Sequence, residues 1–310
     1  MEKFEIKKKI LIVGGSSLLG INWAVKVNSS YNIYLAVNKK KIKVKNTKII
    51  KINFDNLIET EKTITKINPT YIINLAAITD VDYCEFNKKK AYIVNTEIPV
   101  ILSNITNKLN CKLLQISTDQ LFNKQDKFIN EKVKVTPVNY YAKTKYLAEK
   151  KIIQICKNYL IIRTNFFGYG TKYKKSYSEF ILDELEKKDK IILSNNIFFN
   201  PIYICNLIKI CDFLLNKNIV GLFNLSADDN ISKYQFGIKL CNELKLKDNY
   251  NNKILATKHK TTKVLRPLQM SLSNKKIKKI YKRKIGTLEE NIIMMIDDKA
   301  HEEKLKAYVK

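Results

Sequence analysis

Two adjacent tyrosines and two lysines stand in "PVNYYAKTK", residues 137–145. Tyr141 and Lys145 are four residues apart, which on a helix puts them on one face, whereas Tyr140 has no lysine at that spacing. A free phenol has a pKa of about 10 and holds its proton too tightly for easy exchange near neutrality. An ammonium beside it would lower that value, so Tyr141 and Lys145 read as a general acid and the cation that tunes it. Upstream, "QISTDQLF" (115–122) places the Thr118 hydroxyl at the end of an expected strand. In a parallel sheet that tip faces the crevice where ligands bind. A hydroxyl, a phenol and an ammonium beside a nicotinamide make a site for carbonyl reduction.

Such a site needs a dinucleotide. The chain has eight glycines, and Gly14, Gly15 and Gly20 fall together in "VGGSSLLG" (13–20). The cluster follows a short apolar run and opens a helical pattern. Glycines there let the backbone turn tightly and approach a pyrophosphate, which rests on the helix N-terminus. The spacing is G-x-x-S-x-x-G, with Ser17 where a glycine is usual. An acid that would read a ribose 2′-hydroxyl belongs about 20 residues further on. That place reads "VNKKK", with Asn38 and Lys39, and no acid occurs from residue 36 until Asp55. Lysines attract a 2′-phosphate that a carboxylate would repel, so NADPH is the expected cofactor and NADH the alternative.

The elements that must position these residues alternate along the first half. "KILIVG" (9–14), "NIYLAV" (32–37), "TKIIKI" (47–52), "TYIINLA" (70–76), "CKLLQIST" (111–118) and "YLIIRT" (159–164) read as strands. Helical patterns cover 18–28, 58–67, roughly 88–108 and 139–157. Near-continuous apolar strands separated by helices imply an α/β, Rossmann-type doubly wound parallel sheet covered on both faces. After about residue 166 the rhythm loosens into helices at 177–188, 204–216, 232–244 and 287–308, with short strands near 190–193 and 221–225. The expected organisation is an NAD(P)-binding domain over 1–170 and a smaller substrate-binding lobe over 171–310, whose strand near 221–225 returns to the sheet.

Composition narrows the function classes. With 310 residues and 45% hydrophobic content the chain can bury a substantial core. The net charge of +28 would suit nucleic acid, but the lysines spread along the whole chain with Asn and Ile and show no aromatic-interleaved basic motif. The densest runs, "IKKK" (6–9) and "NKKKIKVK" (38–45), sit among apolar residues expected to form strands. Six cysteines without a CxxC pair read as buried free thiols in a reducing compartment. His259 and His301 both lie in lysine-rich polar contexts, so a zinc site or a Ser-His-Asp triad has few parts. The start of the chain is not a signal peptide, and no stretch approaches the length of a membrane span. A cytoplasmic enzyme with neither nucleic-acid nor membrane partners is expected.

The chain resembles the extended short-chain dehydrogenase/reductases, and within them it is most similar to the dTDP-4-dehydrorhamnose reductase family. The resemblance rests on "YIINLAAITDVDYCEFNKKKAYIVN" (71–95), "STDQLF" (117–122), "TPVNYYAKTKYLAE" (136–149), "IIRTNFFG" (161–168), "GLFNLS" (221–226) and "VLRPLQMSLSNKKI" (264–277). It implies the catalytic trio Thr118, Tyr141 and Lys145, the last two also at the cofactor. It further implies cofactor contacts from Gly14, Ser16, Ser17, Leu18 and Gly20, from Ala76, Ala77 and Thr79, and from Asn53 and Phe54 at the adenine. Asp119 is placed on a substrate hydroxyl or as a loop cap, and Phe166 stands where a substrate-side tryptophan is usual. Gln120 replaces a tyrosine beside the nicotinamide, and Ala142 replaces the glycine after the tyrosine. The family's DQ-x-G-x-PT segment survives only as "NNIFFNPI" (195–202).

The implied activity is NADPH-dependent reduction of a keto group on a nucleotide-linked deoxysugar, in the supply of surface polysaccharide precursors. The implied partners are the nucleotide sugar and, in a homodimer, a second copy of the chain. Two alternatives keep the scaffold: a nucleotide-sugar epimerase or dehydratase, and a non-catalytic regulatory subunit. Arg163 reads as a strand-end anchor and Arg266 as half of a structural ion pair.

Overall fold

In a computed structural model, residues 7–123, 126–171, 173–188, 190–246, 249–258 and 263–309 are described. Strands β1 (Lys9–Val13), β2 (Asn32–Val37), β3 (Thr47–Lys51), β4 (Tyr71–Asn74), β5 (Lys112–Ile116) and β6 (Tyr159–Arg163) join the strand Gly221–Asn224 in one sheet. Its order is (221–224)-β6-β5-β4-β1-β2-β3, and every pairing is parallel. The order reverses between β1 and β4, so the crevice at their carboxyl ends is the ligand site of this architecture.

The central strands are apolar on both faces because helices cover both. β4 and β5 are buried at every position, and β1 is buried from Ile10 to Val13. Helix α1 (Leu18–Val27) buries Trp23 and Ala24 against one layer of the core. Helices α2 (Leu57–Ile67), α5 (Ile98–Leu109) and α6 (Tyr140–Ile155) bury Ile64, Leu102 and Ile152 in the other.

The helix expected over 88–108 runs from Lys88 to Leu109 but is not α-helical throughout. After the short helices α3 (Val81–Phe86) and α4 (Lys88–Tyr92), a π-helical turn occupies Ile93–Glu97 before α5 begins. One such turn rotates the side chains that follow it, and here it aims Asn95 into the interior, as set out below. The helix expected over 287–308 also divides, at Asp298, into Leu288–Asp297 and Lys299–Tyr308. Asp298 is held there by Lys26, at 2.7 Å, and by the Tyr203 hydroxyl, at 3.2 Å.

Two further readings change. The lysine run 38–45 lies between β2 and β3 rather than in a strand, apart from a single bridge from Val44 to Val309. His301 is buried and hydrogen-bonded to Asn22 at 2.8 Å, not in a polar surface context, and His259 lies outside the described residues. All six cysteines are buried and free.

Candidate active site

The β1–α1 turn is built by steric necessity. Gly14 has φ +81, and a Cβ on it would lie 2.7 Å from the Ala76 nitrogen at the end of β4. A Cβ on Gly20 would meet the Gly14 carbonyl at 2.8 Å. Ser17 is the N-cap of α1: its hydroxyl accepts from the Gly20 nitrogen at 3.0 Å. That bond accounts for a serine at the place of the usual glycine. The helix N-terminus and the close-packed backbone leave room for a pyrophosphate and for no side chain.

Two cavities adjoin over this turn. One, of about 310 Å³, is lined by Gly14, Ser16, Asn38, Phe54 and Ala76 among others. The second, of about 330 Å³, is lined by Leu18, Thr79, Thr118, Asp119, Tyr141, Lys145 and Phe166 among others. Ser17, Leu75, Ala77 and Lys174 line both. The expected residues therefore gather at the carboxyl ends of β1, β4 and β5, with three exceptions. Gly20 sits buried behind the turn. Lys39 is exposed, and Lys40 lines the cavity instead. Asn53 is exposed, its side chain accepting from the Asp55 nitrogen at 3.3 Å.

Helix α6 carries Tyr141 and Lys145. Asn139 caps it, accepting from the Ala142 nitrogen at 2.9 Å. Tyr141, Lys145, Thr118 and Asp119 are each buried. The Tyr141 phenol is pushed above its ordinary value by burial, while a hydrogen bond with Thr118 pulls it down. Burial outweighs what lowers it, which corrects the expectation from spacing of a lowered phenol. The Lys145 Nζ donates to the Ile116 carbonyl at 2.8 Å. Burial lowers Lys145 to about 8, against an opposing pull from Glu149. Burial raises Asp119 to about 6, although Asn165 donates to it at 2.8 Å and the Thr118 hydroxyl at 3.3 Å. Asp119 is thus part of the cavity floor, not a loop cap at the surface.

Several residues the sequence did not single out hold this arrangement. Asn95, in the π-helical turn, accepts from the Ile78 nitrogen at 2.8 Å and donates to the Ile78 carbonyl at 3.0 Å and to Thr144 Oγ1 at 3.1 Å. It fastens the loop bearing Ala77 and Thr79 to α6 beside Lys145. Glu149, one turn beyond Lys145, accepts from Arg163 Nε at 3.0 Å and Nη2 at 2.6 Å, and from the Ser117 hydroxyl at 2.5 Å. Arg163 is therefore an anchor at the strand end. Arg266 pairs with Asp82 at 2.5 Å. Among the described residues, no group of three or more His, Cys, Asp or Glu is placed to hold a metal ion.

The model of the family described as RmlD substrate binding domain matches residues 8–301. The chain is 24% identical over 237 residues to the spore coat polysaccharide biosynthesis protein SpsK of Bacillus subtilis, covering 76% of this chain and 79% of that protein. It is 26% identical over 192 residues to the dTDP-4-dehydrorhamnose reductase of Escherichia coli, covering 59% of this chain and 63% of that protein. The latter alignment spans less than two thirds of either chain. The crystal structure of a dTDP-4-dehydrorhamnose reductase from Bacillus anthracis in complex with NADP shares the fold. Its TM-score is 0.83 at 21% identity, covering 94% of this chain and 100% of that one.

Proposed function

The chain belongs to the family of the RmlD substrate binding domain, and on that footing we propose that it reduces the keto group of a nucleotide-linked deoxysugar, as dTDP-4-dehydrorhamnose reductase does, with NADPH. The observation that carries the reading is the buried cluster of Thr118, Tyr141 and Lys145 in a cavity that adjoins the glycine turn.

NADPH, when bound, supplies a hydride; Gly14, Ser16, Ser17 and Ala76 are placed to hold it, with Phe54 at its adenine end. The rest is done by the chain's own groups. Tyr141 donates the proton. Its phenol is held neutral by burial, so it keeps its proton in reserve at any physiological pH. An oxygen turning into an alkoxide is far more basic than a phenolate, so the proton moves downhill when the carbonyl is reduced. Thr118, which lines the same cavity as Tyr141, offers the same carbonyl oxygen a second partner. Lys145 spends one N–H on Ile116 and keeps two for a ribose hydroxyl or for the phenolate left after transfer. Lys174, which lines both cavities, offers a cation to the substrate's diphosphate.

Among the described residues no helix is long and apolar enough to cross a membrane. Six buried, unpaired thiols suit a reducing compartment such as the cytoplasm.

The test is Tyr141→Phe, assayed as NADPH oxidation with a panel of 4-keto nucleotide sugars. Removing the acid should lower turnover by about 10²–10⁴-fold while NADPH binding persists. Unchanged turnover in the variant would remove Tyr141 from the chemistry.

A further inference from the structure

Farther along α6, beyond Tyr141 and Lys145, the helix borders a third cavity. Its volume is about 700 Å³, and it shares no lining residue with the two already described. Its walls come from α6, from Arg163 of β6, from Leu222 of the strand 221–224 and from the helix Lys275–Tyr281. The size falls within the range of small-molecule sites.

Charge sets this cavity apart. Lys132, Lys150, Arg163, Lys275, Lys276 and Lys279 line it, against two carboxylates, Glu131 and Glu149. Both carboxylates are already engaged. Glu149 holds Arg163 and Ser117, and Glu131 accepts from the Asn224 nitrogen at 2.9 Å. Among the described residues no ion pair is made by Lys132, Lys150, Lys275 or Lys279.

Lysines alone would say little in a chain of net charge +28. Arg163 adds an independent observation. It is 3% exposed, and its Nε and Nη2 both face Glu149. A side-on pair of this kind leaves Nη1 on the opposite edge of the planar guanidinium. Nη1 is buried and has no hydrogen-bond partner among the described residues. A buried donor left without an acceptor is costly, and an anion is the partner that a guanidinium edge and surrounding ammonium groups select. The remaining wall comes from Asn130 and from the largely apolar Tyr146, Ile153 and Leu222.

We propose that this cavity is a second ligand site, for a small molecule that carries a phosphate or diphosphate group on a ring. Arg163 and the lysines supply the positive charge for the anion, and Tyr146, Ile153 and Leu222 take the ring. The site is physically joined to the catalytic strand end, because Glu149 bonds both Arg163 in this wall and Ser117 beside Thr118.

The test titrates inorganic pyrophosphate, and in parallel phenyl phosphate, into the full chain with NADP⁺ present to fill the dinucleotide cleft. Calorimetry should show saturable binding of each probe. The double variant Lys275→Gln/Lys279→Gln should weaken both by about tenfold or more, since each lost charge-assisted contact is worth a sizeable part of a small anion's affinity. Lys62→Gln/Lys66→Gln, on α2, should leave both unchanged. If the two double variants weaken binding equally, or if neither probe saturates, the cavity is not an anion site. Phenyl phosphate that binds as pyrophosphate does but is indifferent to Tyr146→Ala would overturn the assignment of the ring.

Discussion

Lys145 Nζ donates to the carbonyl oxygen of Ile116 at 2.8 Å, at the end of the strand that leads to Thr118. The ammonium is thereby fixed to the backbone of β5 rather than to the phenol one turn before it. The chemistry is then divided: Tyr141 keeps its proton because it is buried, and Lys145 is a buried cation with an easily lost charge.

That division sets the pH profile. Burial holds Lys145 near 8, so raising the pH through about 8 removes its charge in the folded protein. Asp119 is held near 6, so lowering the pH through about 6 neutralises it. With both charges needed, kcat/KM is expected to be bell-shaped between about 6 and 8, and Tyr141 contributes no limb in this range. Asp119→Asn should abolish the acid limb alone. The sign for stability follows from the same shift. Between about 8 and the usual lysine value the unfolded chain binds more protons at this site than the folded one. Lys145 therefore contributes a rise in stability with pH across that window, which Lys145→Met should remove from the melting temperature.

Glu149 is the buried acceptor for Arg163 and Ser117. Glu149→Ala leaves a guanidinium buried without its partner, which costs about 3–5 kcal/mol. Denaturant unfolding should show that loss, whereas Glu61→Ala, at an exposed pair with Lys108, should change stability by about 1 kcal/mol or less.

The preference for NADPH is expected to depend on Lys40, which lines the adenine-end cavity where Lys39 does not. Lys40→Glu should lower kcat/KM for NADPH by about tenfold, the effect of a lost charge-assisted phosphate contact, and leave NADH nearly unchanged. Steady-state kinetics with each cofactor measures this.

Asn95 holds the Ile78 backbone and Thr144 together with three hydrogen bonds. Asn95→Leu strands the Ile78 amide and leaves its carbonyl only the Cys84 thiol at 3.3 Å, a penalty of about 1–3 kcal/mol for the unpaired amide. Because the loop it fastens carries Ala77 and Thr79, the KM for NADPH should rise more than kcat falls.

Much of this was legible in the sequence. Unbroken apolar runs such as "YIINLA" can only be buried on both faces, which is why the parallel sheet follows from them. Glycines packed against β4 and a tyrosine–lysine pair on one helical face mark the site by residue type alone. Other features leave no such trace. The π-helical turn at 93–97 adds a residue to one turn of an apolar stretch, too small a change for periodicity to register. The anchor for Lys145 is a backbone carbonyl, which any residue at 116 would supply. Arg163 reads as a strand-end anchor, but its partner Glu149, fourteen positions earlier, reads as one more charge on a helix face until the fold brings them together. The break at Asp298 has no glycine or proline to announce it; its cause is contact with Lys26 and Tyr203, far away in the chain.

In the proposed reaction a proton from Tyr141 and a hydride from NADPH end on one carbonyl group. NADPH deuterated at the transferable position can be reacted with dTDP-4-dehydrorhamnose and the product analysed by mass spectrometry. The expectation is one deuterium on the reduced sugar carbon for each NADPH oxidised. A sugar isomerised without NADPH consumption, or a product free of deuterium, would contradict it.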